Sequence, residues 1–149
     1  MNWISRIEKL PRSASVTYRC NPPVVDEELT FLAAALEVRL PDELRQLYLL
    51  TDGLAEELQG IGTTGYLVLP AQAMLLENQR LRQTARFCVH DLLLVAPAYT
   101  GDYYGYLIAD DGTVSSDVYI WSCTDNTRVR VAGSLAEFLV GWVTSELSA

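Results

Sequence analysis

The sequence has little of what most catalytic chemistry needs. Among 149 residues there is one histidine, His90, and one lysine, Lys9. Any acid/base or metal role of an imidazole would therefore rest on His90 alone. The three cysteines, Cys20, Cys88 and Cys123, are odd in number and show no CxxC spacing, which fits neither a disulfide framework nor a zinc site and suggests a reducing compartment. No stretch approaches the roughly 18 apolar residues of a membrane span, and the N-terminus has charges from Arg6 onward with no signal-like apolar run, so a cytoplasmic location is expected. No G-x-S-x-G, H-E-x-x-H or P-loop is present, and nine Gly and six Pro leave no linker or low-complexity segment.

What is present describes a chain that can bury a core. Half the residues are hydrophobic and 20% are charged, and the length suits one domain over residues 1–149. Acidic residues outnumber basic ones by 19 to 11, for a formal charge of −8. That balance disfavours direct contact with nucleic acid or anionic membrane and favours a basic protein partner.

Apolar periodicity predicts a short helix ending near Leu10, carried by Trp3, Ile4 and Ile7. Residues 11–25 read as loop. A second helix follows Asp26-Glu27-Glu28, whose carboxylates favour a first turn, with Leu29, Leu32, Ala33 and Leu36 on one face. A third spans about Asp42 to Thr51, with Pro41 in its first turn, Leu44, Leu47 and Tyr48 inward, and Gly53 as its C-terminal cap. Gly65–Leu69 reads as a strand and Pro70–Thr84 as a helix. Leu92–Ala96, Tyr103–Ala109, Val118–Ser122 and Arg128–Val131 read as four strands of an antiparallel meander, the last with its arginines outward, and Asp110-Asp111-Gly112 as a turn. Ser134-Leu-Ala-Glu137 is a capping box opening a helix that carries Leu135, Phe138, Leu139 and Trp142. The expected fold is α+β: an antiparallel sheet of about four to six strands packed against helices, with the C-terminal helix closing the core.

Three groups of residues resemble chemical motifs. Gly60-Ile-Gly62-Thr-Thr-Gly65 matches G-x-G-x-x-G, but it precedes a strand and lacks an acidic residue about 20 positions on, so a flexible loop is preferred to a pyrophosphate cradle. Cys88 or Cys123 with His90 as base would form a nucleophile pair, yet neither carries a local signature, and inert buried cysteines are preferred. Asp102, Asp110, Asp111 and Asp117 lack calcium-loop spacing and read as turn residues on an acidic rim. No metal, cofactor or catalytic residue is expected.

Several elements, in order, resemble the SUKH superfamily of Smi/Knr-like, toxin-immunity type domains. They are Leu40-Pro41-x-x-Leu44-x-x-Leu47-Tyr48-x-x-Thr51-Asp52-Gly53, the strand Tyr66–Leu69 with the helix from Pro70, Gly101-Asp-Tyr-Tyr-Gly105-Tyr106, Val118-Tyr-Ile-Trp121, and Ala132-Gly-Ser134-Leu-x-x-Phe138-Leu139. Val38 stands where glycine is common and Leu135 where phenylalanine is usual, and the residues before about Asp26 lie outside the resemblance. The resemblance implies an α+β fold without catalytic residues, used for protein binding, and in bacteria for neutralising polymorphic or contact-delivered toxins. The expected docking residues are Glu56, Glu57, Asp102, Asp110 and Asp111, with Tyr103, Tyr104 and Tyr106 as aromatic anchors against a basic toxin such as a nuclease. The alternatives are a small-molecule or nucleotide sensor or enzyme using the Gly60–Gly65 loop and His90, and a regulatory adaptor. Self-association is left open; Trp3 would serve an oligomer contact or, as preferred, the core.

Overall fold

The computed structural model describes residues 3–10, 16–98 and 101–143. In chain order the elements are helix α1 (Trp3–Glu8), strand β1 (Val16–Cys20), helices α2 (Asp26–Leu36) and α3 (Asp42–Leu50), and strands β2 (Leu54–Leu58) and β3 (Gly62–Val68). Helix α4 (Ala71–Thr84), strands β4 (Leu92–Pro97), β5 (Tyr103–Leu107), β6 (Val118–Trp121) and β7 (Arg128–Ala132), and helix α5 (Leu135–Val143) complete them. The α+β class, the antiparallel pairing and the closing helix are as expected. The strands divide into two sheets, ordered β1-β2-β3 and β4-β5-β6-β7. Leu69 N–H donates to Val95 O at 2.8 Å and joins them.

The meander buries side chains on both faces. Leu93, Val95, Tyr104, Tyr106, Val118 and Ile120 enter the larger core with Leu44, Leu47 and Phe138. Leu92, Leu94 and Trp121 point the other way, into a smaller cluster with Leu81 and Val89. Two covered faces explain why Leu92–Ala96 is apolar without alternation. Buried Asn78 fixes α4 to β4: its Nδ2 donates to Leu94 O at 2.8 Å and its Oδ1 accepts Leu94 N–H at 2.9 Å. The side chain of Trp142 lies outside those described.

Four expectations need correction. Residues 16–20 form an edge strand, because Val16–Cys20 pair residue for residue with Leu58–Leu54; the alternation Val-Thr-Tyr-Arg-Cys is a strand signal, though only five residues long. The second half of the Gly60–Gly65 motif is strand, not loop, since Gly62, Thr63 and Gly65 pair with β2. Gly53 does not cap α3, where Thr51 holds that position and donates its N–H to Leu47 O. At φ +80°, a Cβ on Gly53 would lie 2.8 Å from Val68 O and Pro70 N, so close backbone approach is what requires glycine there. In β7, Arg128 is largely covered and Val129 is 53% exposed. An irregularity in the β6–β7 register between Val118 and Tyr119 breaks the simple alternation.

The Thr51-Asp52-Gly53 turn is a structural junction. Thr51 Oγ1, fully buried, accepts Asn21 N–H at 2.9 Å and donates to Gly53 O at 2.7 Å. Asp52 Oδ1 accepts Ala71 N–H at 2.7 Å and so caps α4 from a distant position. Helix α5 has the expected capping box in modified form: Ser134 Oγ accepts Glu137 N–H at 3.1 Å, while Glu137 accepts from Gly133 N–H at 2.9 Å. A third carboxylate, Glu43 on α3, accepts Leu135 N–H.

Candidate protein-binding surfaces

The eight residues expected to dock a partner are dispersed by the fold. Tyr104 and Tyr106 are corrected outright. They are 8% and 0% exposed, Tyr104 stacks 4.7 Å from Phe138, and neither side chain is available as a surface anchor. Burial, with the nearby Glu43 charge, pushes the Tyr106 hydroxyl far above its ordinary range. Both residues lie on the core face because β5 alternates, with Tyr103 on the opposite side. Tyr103 is half-buried, its ring centroid 6.5 Å from that of Trp121, and burial followed by the Glu77 charge raises its hydroxyl.

Of the carboxylates, Asp102 is committed to structure: its Oδ1 accepts Cys123 N–H at 3.0 Å and ties the start of β5 to the end of β6. The neighbouring Gly101 has φ +87°, and a Cβ there would sit 3.4 Å from Cys123 Sγ. Glu57 pairs with Arg19 at 3.1 Å and Glu56 accepts Thr64 Oγ1–H at 3.2 Å, both on the three-stranded sheet. Asp117 pairs with Arg130 at 3.1 Å. Asp110 and Asp111 are exposed at the turn after β5. Asp111 Oδ1 accepts Thr113 Oγ1–H at 2.6 Å and Thr113 N–H at 3.0 Å, and these bonds hold its carboxyl below the ordinary carboxylate range.

That turn forms part of the wall of an open cleft of about 610 Å³. Arg39 N–H donates to Gly112 O at 2.9 Å, which seats the turn against the end of α2. Glu37, in left-handed backbone at φ 57°, lines the cleft together with Asp110, His90, Asp91 and Arg128. Arg128 bridges the floor: it pairs with Asp91 at 2.8 Å and donates to Cys88 O at 3.2 Å. Glu37 and Arg128 were not legible as site residues. A glutamate gives no sign in sequence of the left-handed backbone that ends α2, and Arg128 enters the cleft only through the pairing of β6 with β7.

The preference for inert buried cysteines is also corrected. Cys20 and Cys88 are exposed and Cys123 is half-buried. Cys88 Sγ lies 3.4 Å from His90 Nδ1, so the fold does bring that pair together. The Asp102 carboxylate raises the Cys123 thiol, which disfavours a nucleophilic thiolate there. Among the described residues no group of three or more His, Cys, Asp or Glu is placed to hold a metal ion. Gly60 and Gly62 lie at and just beyond the β2–β3 hairpin turn with nothing within 4 Å of an added Cβ, and Gly65 in β3 is equally open. A cradle for a phosphate would need close backbone approach and a following helix N-terminus, and here a strand follows. Among the described residues no helix is long and apolar enough to cross a membrane.

A family model described as the SMI1 / KNR4 family (SUKH-1) matches residues 23–141, from just before α2 into α5. The match takes in the whole meander, β2 and β3, and leaves out α1 and β1. No curated protein matches the chain.

Proposed function

The chain belongs to the SMI1 / KNR4 family (SUKH-1), and from that premise we propose that it is a non-catalytic protein-binding module, a bacterial immunity protein that neutralises a cognate delivered toxin by stoichiometric binding in the cytoplasm. The observation that carries this reading is the family match over residues 23–141, a family associated with immunity proteins. The charge of −8 supports a basic partner, such as a nuclease with a cationic active site.

The docking face we assign is narrower than the one expected from sequence. Glu37 and Asp110 remain exposed around one cleft, with Asp111 exposed on the adjoining turn, while Asp102 is spent on an internal hydrogen bond and Tyr104 and Tyr106 on the core. The small-molecule reading would need the Gly60–Gly65 loop and His90 in one site. Gly65 and His90 line different clefts, which weighs against it.

The test is co-expression with the product of the adjacent reading frame. Growth arrest by that product, relieved in proportion to the amount of this chain and by formation of a complex, is the expected result. An adjacent product that is harmless, or whose toxicity this chain does not relieve, overturns the immunity reading. With the complex in hand, Glu37→Lys with Asp110→Lys should slow association about tenfold or more at low salt and flatten its salt dependence. An unchanged on-rate moves the interface elsewhere.

A further inference from the structure

Cys88 and His90 both line the cleft beside the Asp110 turn, and the residue between them explains why they meet. Val89 is buried and packs with Leu92, Leu94 and Trp121 in the smaller core cluster. With Val89 turned inward, its two neighbours turn outward, and both are exposed. The backbone around them is pinned. Arg128 Nη2 donates to Cys88 O at 3.2 Å and to Asp91 Oδ1 at 2.8 Å, and Leu92 N–H donates to Val89 O at 3.1 Å. The outcome is a thiol sulfur 3.4 Å from His90 Nδ1, within hydrogen-bonding reach. His90 is the only histidine of the chain, and Cys20, also exposed, lies on β1 in the other sheet.

A thiol attacks only as its proton leaves. A thiolate formed in advance would face Glu37, Asp91 and Asp110 across the cleft. The nearby cations are engaged elsewhere: Arg128 with Asp91, Arg86 over the Phe87 ring, and Arg82 on Leu36 O. The proton is therefore best removed during the attack, and His90 Nδ1, with the ring proton on Nε2, is the group placed to take it.

We propose that Cys88 is a modification site, a thiol that exchanges with a low-molecular-weight disulfide while His90 acts as its general base. The S–H proton passes to Nδ1 as Sγ attacks one sulfur of the disulfide RS–SR. The Cys88–SR bond forms, the RS–SR bond breaks, and the departing RS⁻ takes the proton from Nδ1 to leave as RSH. The Cys88 sulfur is oxidised and the departing sulfur reduced, and excess free thiol reverses the exchange. The open cleft of about 610 Å³ gives the added group room. This goes beyond protein binding and does not rest on the immunity reading.

The test uses the full chain and 2-hydroxyethyl disulfide, an uncharged probe whose approach the local charges do not decide. Samples taken over time at about pH 7 are quenched with acid, and the mixed disulfide at each cysteine is measured by peptide mass spectrometry. Cys88 should react about tenfold or more faster than Cys20, which serves as the internal clock. His90→Ala, at an exposed position, should bring Cys88 down to the rate of Cys20 with far-UV circular dichroism unchanged. Added imidazole should then speed Cys88 selectively, a rescue that a merely structural histidine would not show. Equal rates at Cys88 and Cys20 in the wild type overturn the proposal. So does a Cys88 rate unchanged by His90→Ala, or imidazole that speeds both cysteines of the variant alike. None of these readouts involves a partner protein, so their failure and failure of the immunity reading are separate results.

Discussion

In strands β4–β6 of the meander both faces are buried, whereas in the β1–β2–β3 sheet only one end is covered. Leu92–Ala96 and Tyr104–Tyr106 are buried throughout, but in β3 the first four residues are exposed and only Leu67 and Val68 are fully covered. The exposed half of the smaller sheet is held by its backbone ladder and by partners such as Arg19–Glu57, an exposed pair worth at most about 1 kcal/mol. The difference teaches that antiparallel pairing alone makes a strand, while burial decides how much each residue in it matters.

The same substitution in the two sheets gives the clearest break. A Cβ on Gly105 in the meander would lie 2.2 Å from Leu93 O, a contact with backbone that cannot rotate away. Gly105→Ala should therefore cost about 3 kcal/mol or more, or prevent folding, as read by urea unfolding. A loss below about 1 kcal/mol would show the meander to be more compliant than its geometry implies. Gly65 in β3 meets nothing within 4 Å. Gly65→Ala should stabilise by about 0.4–1 kcal/mol through the unfolded chain, and should slow hydrogen exchange in β2 and β3 while leaving β4–β7 unchanged. Destabilisation at this position would mean that the exposed half of the sheet makes contacts beyond those described.

The smallest effect concerns the helix that covers the meander. Glu43 accepts Leu135 N–H at the start of α5, and burial raises its carboxyl above the ordinary 4.5 despite the opposing backbone bonds. A raised value means the native state holds the proton more tightly than the unfolded chain. The resulting stability is full below about 4.5 and is lost as pH rises through the raised value. Because the carboxyl is only half-covered, solvent screens much of the effect. Relative to Glu43→Gln, the wild type should lose melting temperature as pH rises from about 4.5 upward. A difference between the two proteins that is constant with pH would remove Glu43 as its source.

Much of the fold was legible because its signals are local. All three of Asp26–Leu36, Asp42–Leu50 and Ala71–Thr84 announce themselves by apolar spacing, the first two also by acidic first turns and the last two by the proline before them. The meander strands show as apolar or aromatic runs separated by turn residues. Leu54–Leu58 did not show, since Leu-Ala-Glu-Glu-Leu carries no alternation and becomes a strand by pairing with Val16–Cys20 across 30 or more residues. Val-Thr-Tyr-Arg-Cys does alternate apolar and polar, so a strand signal five residues long is there, and the loop reading passes over it. The candidate surface was legible only in part. Asp110 and Asp111 follow from an Asp-Asp-Gly turn, whereas Glu37 and Arg128 reach the same cleft only through the seating of that turn against α2 and the pairing of β6 with β7.

The sequence by itself determined the acidic charge and which segments become helix or meander strand, because each is read from residue identities or from residues within a few positions of one another. Tertiary structure alone decided which face of β5 is buried, and so withdrew Tyr104 and Tyr106 from the surface while leaving Tyr103 at its margin. It also decided that Glu37 at the end of α2 and Arg128 of β7 line one cleft. Both outcomes depend on how distant elements meet, and the free energy of that meeting comes from buried area, which no local pattern of residues encodes.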